Sequence, residues 1–190
     1  TEEKKREVRA KYQLPEHYIL NVGSIEERKN ALSAVQALMM LPEQIHLVIV
    51  GRHTEYTDKI ERFIKENKLE ERVHIISNVP FDDLPVFYQL AEIFVYPSRF
   101  EGFGIPIIEA LYSGIPVVAA TGSCLEEAGG PDSIYIHPDD IKGMANAFKQ
   151  IYSDPERKKV MIEKGQIFAK RFSEEKQAVE ILNIYKKLMK

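Results

Sequence analysis

Residues 96–116 read Y-P-S-R-F-E-G-F-G-I-P-I-I-E-A-L-Y-S-G-I-P, and this stretch decides how the rest of the chain is read. An apolar run ends at Tyr96, a loop with two glycines turns, and a helical pattern starts near Ile105, with Glu101 and Glu109 on either side of the turn. A buried strand followed by such a loop and a helix is how a parallel sheet offers a polar ligand site at its carboxyl edge.

The same unit recurs along the chain. Residues 18–22 form an apolar run that stops at Gly23, and after the loop 24–29 the residues Leu32, Val35, Leu38 and Met39 recur at helical spacing up to Leu41-Pro42. Residues 46–50 end at Gly51, with Ile60, Phe63 and Ile64 marking the next helix; residues 73–76 precede Leu84, Phe87, Tyr88 and Ala91, again at the helical period. Residues 93–96, 115–119 and 133–136 complete about six strands. Uniformly apolar runs suit strands covered on both faces, and their alternation with helices predicts an α/β fold: a Rossmann-like parallel sheet with helices on both faces and right-handed crossovers.

Outside this core the pattern changes. Residues 1–14 carry a charged segment with helical propensity and few apolar positions, expected as a surface helix or linker from a preceding domain. Residues 15–137 hold the sheet, and from Pro138 to residue 190 only helices are predicted. Asp139 or Asp140, the pair Asp154-Pro155, and Ser173 are the expected caps of three tail helices. In the last one Val179, Leu182, Tyr185 and Met189 form an apolar stripe, which packs either on this domain or on a neighbouring one.

Composition limits the function classes. With 190 residues, 44% hydrophobic and 29% charged, the chain suits one globular domain. Its 26 basic and 29 acidic residues leave a net charge of −3, so no basic field favours nucleic acid. No apolar run is long enough to cross a bilayer. Cys124 is the only cysteine, which excludes an internal disulfide and fits a reducing compartment, and no signal peptide is visible. The five histidines show no metal-ligand spacing, and neither G-x-S-x-G nor an early G-x-G-x-x-G is present. A hydrolase elbow, a dinucleotide fingerprint and a metal site are therefore not expected.

Three loops carry the candidate chemistry. After Gly23 the chain places Ser24, Glu26, Glu27, Arg28 and Lys29 before a helix; two cations beside free helix N–H groups suit a diphosphate, while a solvated surface pair is the plainer alternative. In Glu101-Gly102-Phe103-Gly104 the glycines permit close backbone approach, and Glu101 and Glu109, about two turns apart at ~3.6 residues per turn, can accept from two ends of a polyhydroxylated ligand. A plain turn with a solvated Glu109 is the alternative there. The loop 121–126 could offer backbone donors to phosphate or simply bury Cys124.

Taken together, S-R-F-E-G-F-G-I-P-I-I-E-A-L-Y-S-G-I-P-V-V-A resembles the donor-side signature of retaining glycosyltransferases of family 4, which have the two-domain GT-B fold. The family's E-x7-E pair falls on Glu101 and Glu109, N-V-G-S-I-E-E-R-K-N is similar to its first-strand loop, and S-C-L-E-E-A-G-G to its loop after the fifth strand. The match spans nearly the whole chain. It implies that Arg28 and Lys29 hold the donor diphosphate and, with Glu101, form the catalytic set. Glu101 and the backbone of Gly102, Phe103, Gly104 and Ile105 would hold the transferred sugar, and Glu109 the ribose hydroxyls. The base would lie near residues 77–79, at Asn78 and Val79, with Leu125 and Glu126 close to the nucleotide and Gly23 and Ser24 lining the donor loop.

One departure stands out: many members have arginine directly after the first-loop glycine, where this chain has Ser24, so the second cation is expected from Arg28. The resemblance also implies a donor that is a UDP, GDP or ADP sugar, no cofactor and no metal. It implies a missing N-terminal domain for a glycan or lipid-linked acceptor, and little transfer by this chain alone. A cytoplasmic location follows, with peripheral association at the inner face of the membrane left open for the whole enzyme. Two other readings keep the same pocket: a non-catalytic nucleotide-sugar-binding module and a GT-B-like nucleotide-sugar epimerase.

Overall fold

The structure, a computed structural model, describes residues 1–189, the side chains at 174 and 180 excepted. Six strands, β1 (Tyr18–Val22), β2 (His46–Val50), β3 (Val73–Ile76), β4 (Ile93–Tyr96), β5 (Val117–Ala120) and β6 (Ile134–Ile136), form one sheet in the order β3-β2-β1-β4-β5-β6. Every pairing is parallel. The chain runs outward from β1 to β3 and then returns to place β4 on the other side of β1. The carboxyl ends of β1 and β4 therefore meet where the strand order reverses, the place such sheets use for ligands.

Strand alternation divides the core. Ile19, Leu47, Ile49, Ile93, Val95 and Val118 face helices α2 (Ala31–Leu38), α3 (Glu55–Glu66) and α7 (Ile141–Ser153). Tyr18, Leu20, Val22, Val48, Phe94, Tyr96 and Val117 face α1 (Glu2–Tyr12), α4 (Leu84–Leu90), α5 (Ile105–Tyr112) and α6 (Leu125–Gly129). Both faces of the strands are thus covered, as their uniform apolarity predicts. Helices α8 (Pro155–Ala169) and α9 (Glu174–Leu188) complete the tail.

Several boundaries shift for local reasons. β5 begins at Val117 rather than at residue 115, because Pro116 has no N–H for the ladder; its carbonyl still accepts from Phe94 N at 2.9 Å. α2 ends at Leu38, and Met39, Met40 and Leu41 tighten into i→i−3 bonds ahead of Pro42. β6 starts at Ile134, one residue late.

The terminal helices differ in how they sit on the core. α1 is a surface helix that docks on the core: Val8 is fully buried, and Lys4, Lys11 and Tyr12 converge on the buried Asp83 at 2.9, 2.7 and 2.9 Å. Asp140 caps α7 by accepting from Gly143 N at 2.7 Å, and Asp154 caps α8 by accepting from Arg157 N at 2.9 Å. Ser173 occupies the N-cap position of α9, but its side chain makes no capping bond. The stripe Val179, Leu182, Tyr185 and Met189 is exposed, so it does not pack on this domain.

Candidate functional site

The loop after β1 is shaped by the need to bring a lysine back over the strand end. Gly23 has φ +143°, and a Cβ there would lie 3.0 Å from Lys29 Nζ. Gly51, at the end of β2, gives the loop room: a Cβ on it would stand 1.9 Å from the Gly23 carbonyl oxygen. Residues Glu27–Lys29 form a 3-10 turn, and Asn30 then donates to the carbonyls of Pro97 and Pro138 at 3.3 and 2.8 Å. With Arg99 N bonding Arg28 O at 2.8 Å, the loops after β1 and β4 are fastened together.

Glu101 is the hub of what they enclose. Its Oε1 accepts from Ser98 Oγ at 2.9 Å and Tyr96 Oη at 3.0 Å, and lies 3.2 Å from Arg28 Nη1 and 3.3 Å from Lys29 Nζ. Its Oε2 makes no hydrogen bond among the described residues. Burial pushes the Glu101 carboxyl up, but Ser98, Lys29 and Tyr96 together outweigh it and hold the group below its ordinary range. An ionised carboxylate fixed between two cations is suited to accepting hydroxyl protons in hydrogen bonds, not to shuttling a proton.

The two cations differ. Lys29 is mostly covered, at 14% side-chain exposure, and pairs with Glu101 rather than with Glu26 or Glu27. Arg28 is 45% exposed; its Nε donates to Glu26 Oε2 at 2.9 Å, its Nη1 to Phe100 O at 3.0 Å, and Ser24 Oγ donates to the other Glu26 oxygen at 2.6 Å. The solvated-pair alternative thus describes part of the Arg28 environment and not that of Lys29.

Glu109 sits one turn into α5, half-buried, and accepts from the buried Tyr88 hydroxyl at 2.7 Å. Glu101 precedes the helix, so the two-turn spacing expected from the sequence does not apply; loop geometry sets their separation. A cleft of about 240 Å³ between α4 and α5 is lined by Phe81, Leu84, Tyr88, Glu109 and Tyr112. The glycines of the turn also differ. Gly104, at φ +107°, packs α5 onto α6, where a Cβ would meet Leu125 Cδ2 at 2.9 Å; a Cβ on Gly102 would meet nothing within 4 Å.

The remaining expected residues are more dispersed. Leu125 is fully buried beneath Gly104, leaving only its backbone for a ligand. The Glu126 carboxylate closes its own loop, accepting from Thr121 Oγ1 and from Gly122 N at 3.3 Å. Cys124 Sγ donates to Glu101 O at 3.2 Å. The Phe103 ring turns to Phe172 in the tail at 5.6 Å, and Ile105 is exposed. Asn78, at φ 58°, and Val79 follow β3, which lies two strands, and so roughly 10 Å, from β1 across the sheet. On the outer surface His53, Asp58 and Glu61 present atoms within 4.8 Å of one another, all exposed.

Tyr96, Tyr88, Ser98 and Glu26 were not singled out by sequence reasoning as site residues. A signal existed for Tyr96: a tyrosine closing an otherwise apolar buried strand must find a partner for its hydroxyl.

Comparison with known proteins places this geometry in a family. A family model described as glycosyl transferases group 1 matches residues 3–168. The O-antigen chain mannosyltransferase B of Escherichia coli is 33% identical over 183 residues, covering 94% of this chain and 48% of that protein. Sucrose-phosphate synthase from Thermosynechococcus elongatus superposes with TM-score 0.85 at 29% identity, over 97% of this chain and 49% of its own. HepE from Anabaena, solved in complex with UDP and glucose, has the same fold, with TM-score 0.85 at 19% identity over 96% of this chain and 52% of its own. This chain thus spans about half the length of these proteins. With the family's pattern running through both loops of the site and across most of the sheet, the chain belongs to the group 1 glycosyl transferases.

Proposed function

We propose that this chain is the donor-binding half of a retaining GT-B glycosyltransferase of family 4, which takes a hexose from a nucleoside diphosphate sugar. The observation that carries this reading is the cluster at the β1–β4 switch point, where Lys29 and Arg28 meet Glu101 beside the Gly102–Gly104 turn. Lys29 and Arg28 bind the diphosphate, Glu101 and the turn hold the sugar, and Glu109 takes the ribose. Asn78 and Val79 face the base.

Cleaving the sugar–phosphate bond builds negative charge on the leaving diphosphate. Cations fixed before the reaction begins stabilise that charge without reorganising, and the reading assigns this role to Lys29 first and Arg28 second. No step requires a metal. The mannosyl transfer named for the Escherichia coli relative makes mannose the first sugar to test, and the UDP and glucose bound by HepE keep UDP in the panel. The acceptor, a glycan or a lipid-linked saccharide, belongs to a second domain at the cytoplasmic face of the membrane. Residues 15–137 act as the donor core, 1–14 as the connection and 138–190 as the tail.

Calorimetry with UDP, GDP, ADP and their hexose conjugates tests this. At least one pair should bind, and Lys29→Ala should weaken it by about tenfold or more, the loss of a charged contact to phosphate. Binding unchanged in Lys29→Ala would refute the assignment.

A further inference from the structure

Two buried tyrosines lie beneath the two carboxylates, with Phe94 between their rings: its centroid is 5.4 Å from that of Tyr88 and 5.9 Å from that of Tyr96. Each gives its single hydroxyl proton to one carboxylate, Tyr88 to Glu109 Oε2 at 2.7 Å and Tyr96 to Glu101 Oε1 at 3.0 Å. The Tyr96 oxygen also accepts from Lys29 Nζ at 3.0 Å. Phenylalanine would fill both places in the core; what the hydroxyls add is contact with the site.

We propose that Tyr96 and Tyr88 are positioning residues for donor binding, Tyr96 orienting Lys29 and Glu101 toward the sugar-bearing phosphate and Tyr88 orienting Glu109 toward the ribose. This rests on the donor-binding reading above. A lysine ammonium has three donors: Lys29 gives one to the Tyr96 oxygen at 3.0 Å and is drawn toward Glu101 Oε1 by an ion pair at 3.3 Å, which leaves a third for a ligand. Lys29 shares Glu101 with the sugar subsite, so the third donor addresses the distal phosphate, the one bonded to the sugar. Without the Tyr96 oxygen, the Lys29–Glu101 pair, now 3.3 Å apart, is free to close, drawing the ammonium from the phosphate. At the other carboxylate, Tyr88 engages Oε2, and Oε1 accepts no hydrogen bond among the described residues, which leaves it for the ribose. Burial first, and the adjoining carboxylates second, push both phenols well above the ordinary tyrosine value, so they remain hydrogen-bond donors throughout the working pH range.

The test is calorimetry on the 190-residue chain with UDP, GDP and ADP and with the matching monophosphates. Tyr96→Phe should lose about tenfold in diphosphate affinity and much less in monophosphate affinity, the loss expected for one hydrogen bond to a charged group. Tyr88→Phe should weaken the diphosphate and the monophosphate by the same factor but leave their 2′,3′-dideoxy counterparts nearly unchanged, because only ribose hydroxyls would reach Glu109; an equal loss with the dideoxynucleotides overturns the Tyr88 assignment. The diphosphate-to-monophosphate ratio is the informative quantity, since a purely structural role would weaken both ligands alike. Lys29→Gln supplies the reference: Tyr96→Phe should reproduce the diphosphate-selective part of its loss. An unchanged ratio in Tyr96→Phe, with the wild type binding normally, overturns the proposal alone. If the wild type binds none of the nucleotides, the donor-binding reading fails and takes the proposal with it.

Discussion

Gly104→Ala should cost stability and Gly102→Ala should cost donor binding, although the glycines are two positions apart in one loop. At Gly104 an alanine inherits φ +107° and ψ 42°, a conformation that costs an L-residue roughly 1–2 kcal/mol. Its Cβ would also stand 2.9 Å from Leu125 Cδ2 and 3.3 Å from Ala128 Cβ, both fully buried, and such overpacking adds about 1–3 kcal/mol. The sum, roughly 2–5 kcal/mol, lowers Tm by about 4–20 °C for a domain of this size. Gly102 is exposed with open space at its Cβ, so Gly102→Ala should change stability by no more than about 0.5 kcal/mol. If the backbone there lies against the donor sugar, the new methyl should weaken the nucleotide sugar by about tenfold and the free nucleoside diphosphate less. Thermal melts and titrations of both variants check this. A Gly104→Ala protein that melts with the wild type, or a Gly102→Ala protein equally destabilised, would refute the division of labour between the glycines.

Asp83→Asn removes the charge that gathers Lys4, Lys11 and Tyr12, so hydrogen exchange in α1 should accelerate while the sheet amides stay protected. Lys11, Lys4 and Tyr12 hold the Asp83 carboxyl well below the usual range; its stabilisation is present above the unfolded value of 3.8 and is lost as pH falls below it, and Asp83→Asn should remove that part of the acid limb. His46 Nδ1 and His74 Nε2 lie 3.0 Å apart with stacked rings. Burial lowers both histidines, aided by Arg72 for His46 and by His46 for His74. A depressed histidine stabilises the fold above its unfolded value of 6.5 and loses that contribution as pH falls, so Tm should drop between about pH 7 and 5 and the drop should flatten in His74→Phe.

Much of the fold was legible because the inner strands are largely apolar on both faces and β1, β2 and β4 each stop at a glycine or proline, the pattern that a parallel sheet sandwiched between helices demands. The caps Asp140 and Asp154 were legible because a cap is local. The clamp on Asp83 was not, since its partners Lys11 and Tyr12 lie 72 and 71 residues away in sequence. At the site, Gly23, Arg28, Lys29 and Glu101 were visible as glycines and charges in loops, and the structure brings them together. The tyrosines escaped notice because Tyr96 and Tyr88 read as ordinary core positions in apolar runs. Leu125 shows the converse: the family resemblance suggested nucleotide contact, while its side chain serves to seat Gly104.

On the donor-binding reading proposed above, a nucleoside diphosphate binds across the β1–β4 switch point. A crystal structure of the chain with its tightest-binding nucleoside diphosphate tests this most directly. The distal phosphate should lie within hydrogen-bond reach of Lys29 Nζ, with the ribose hydroxyls on Glu109. A nucleotide seated elsewhere, with the Lys29–Glu101 pair undisturbed, would contradict it.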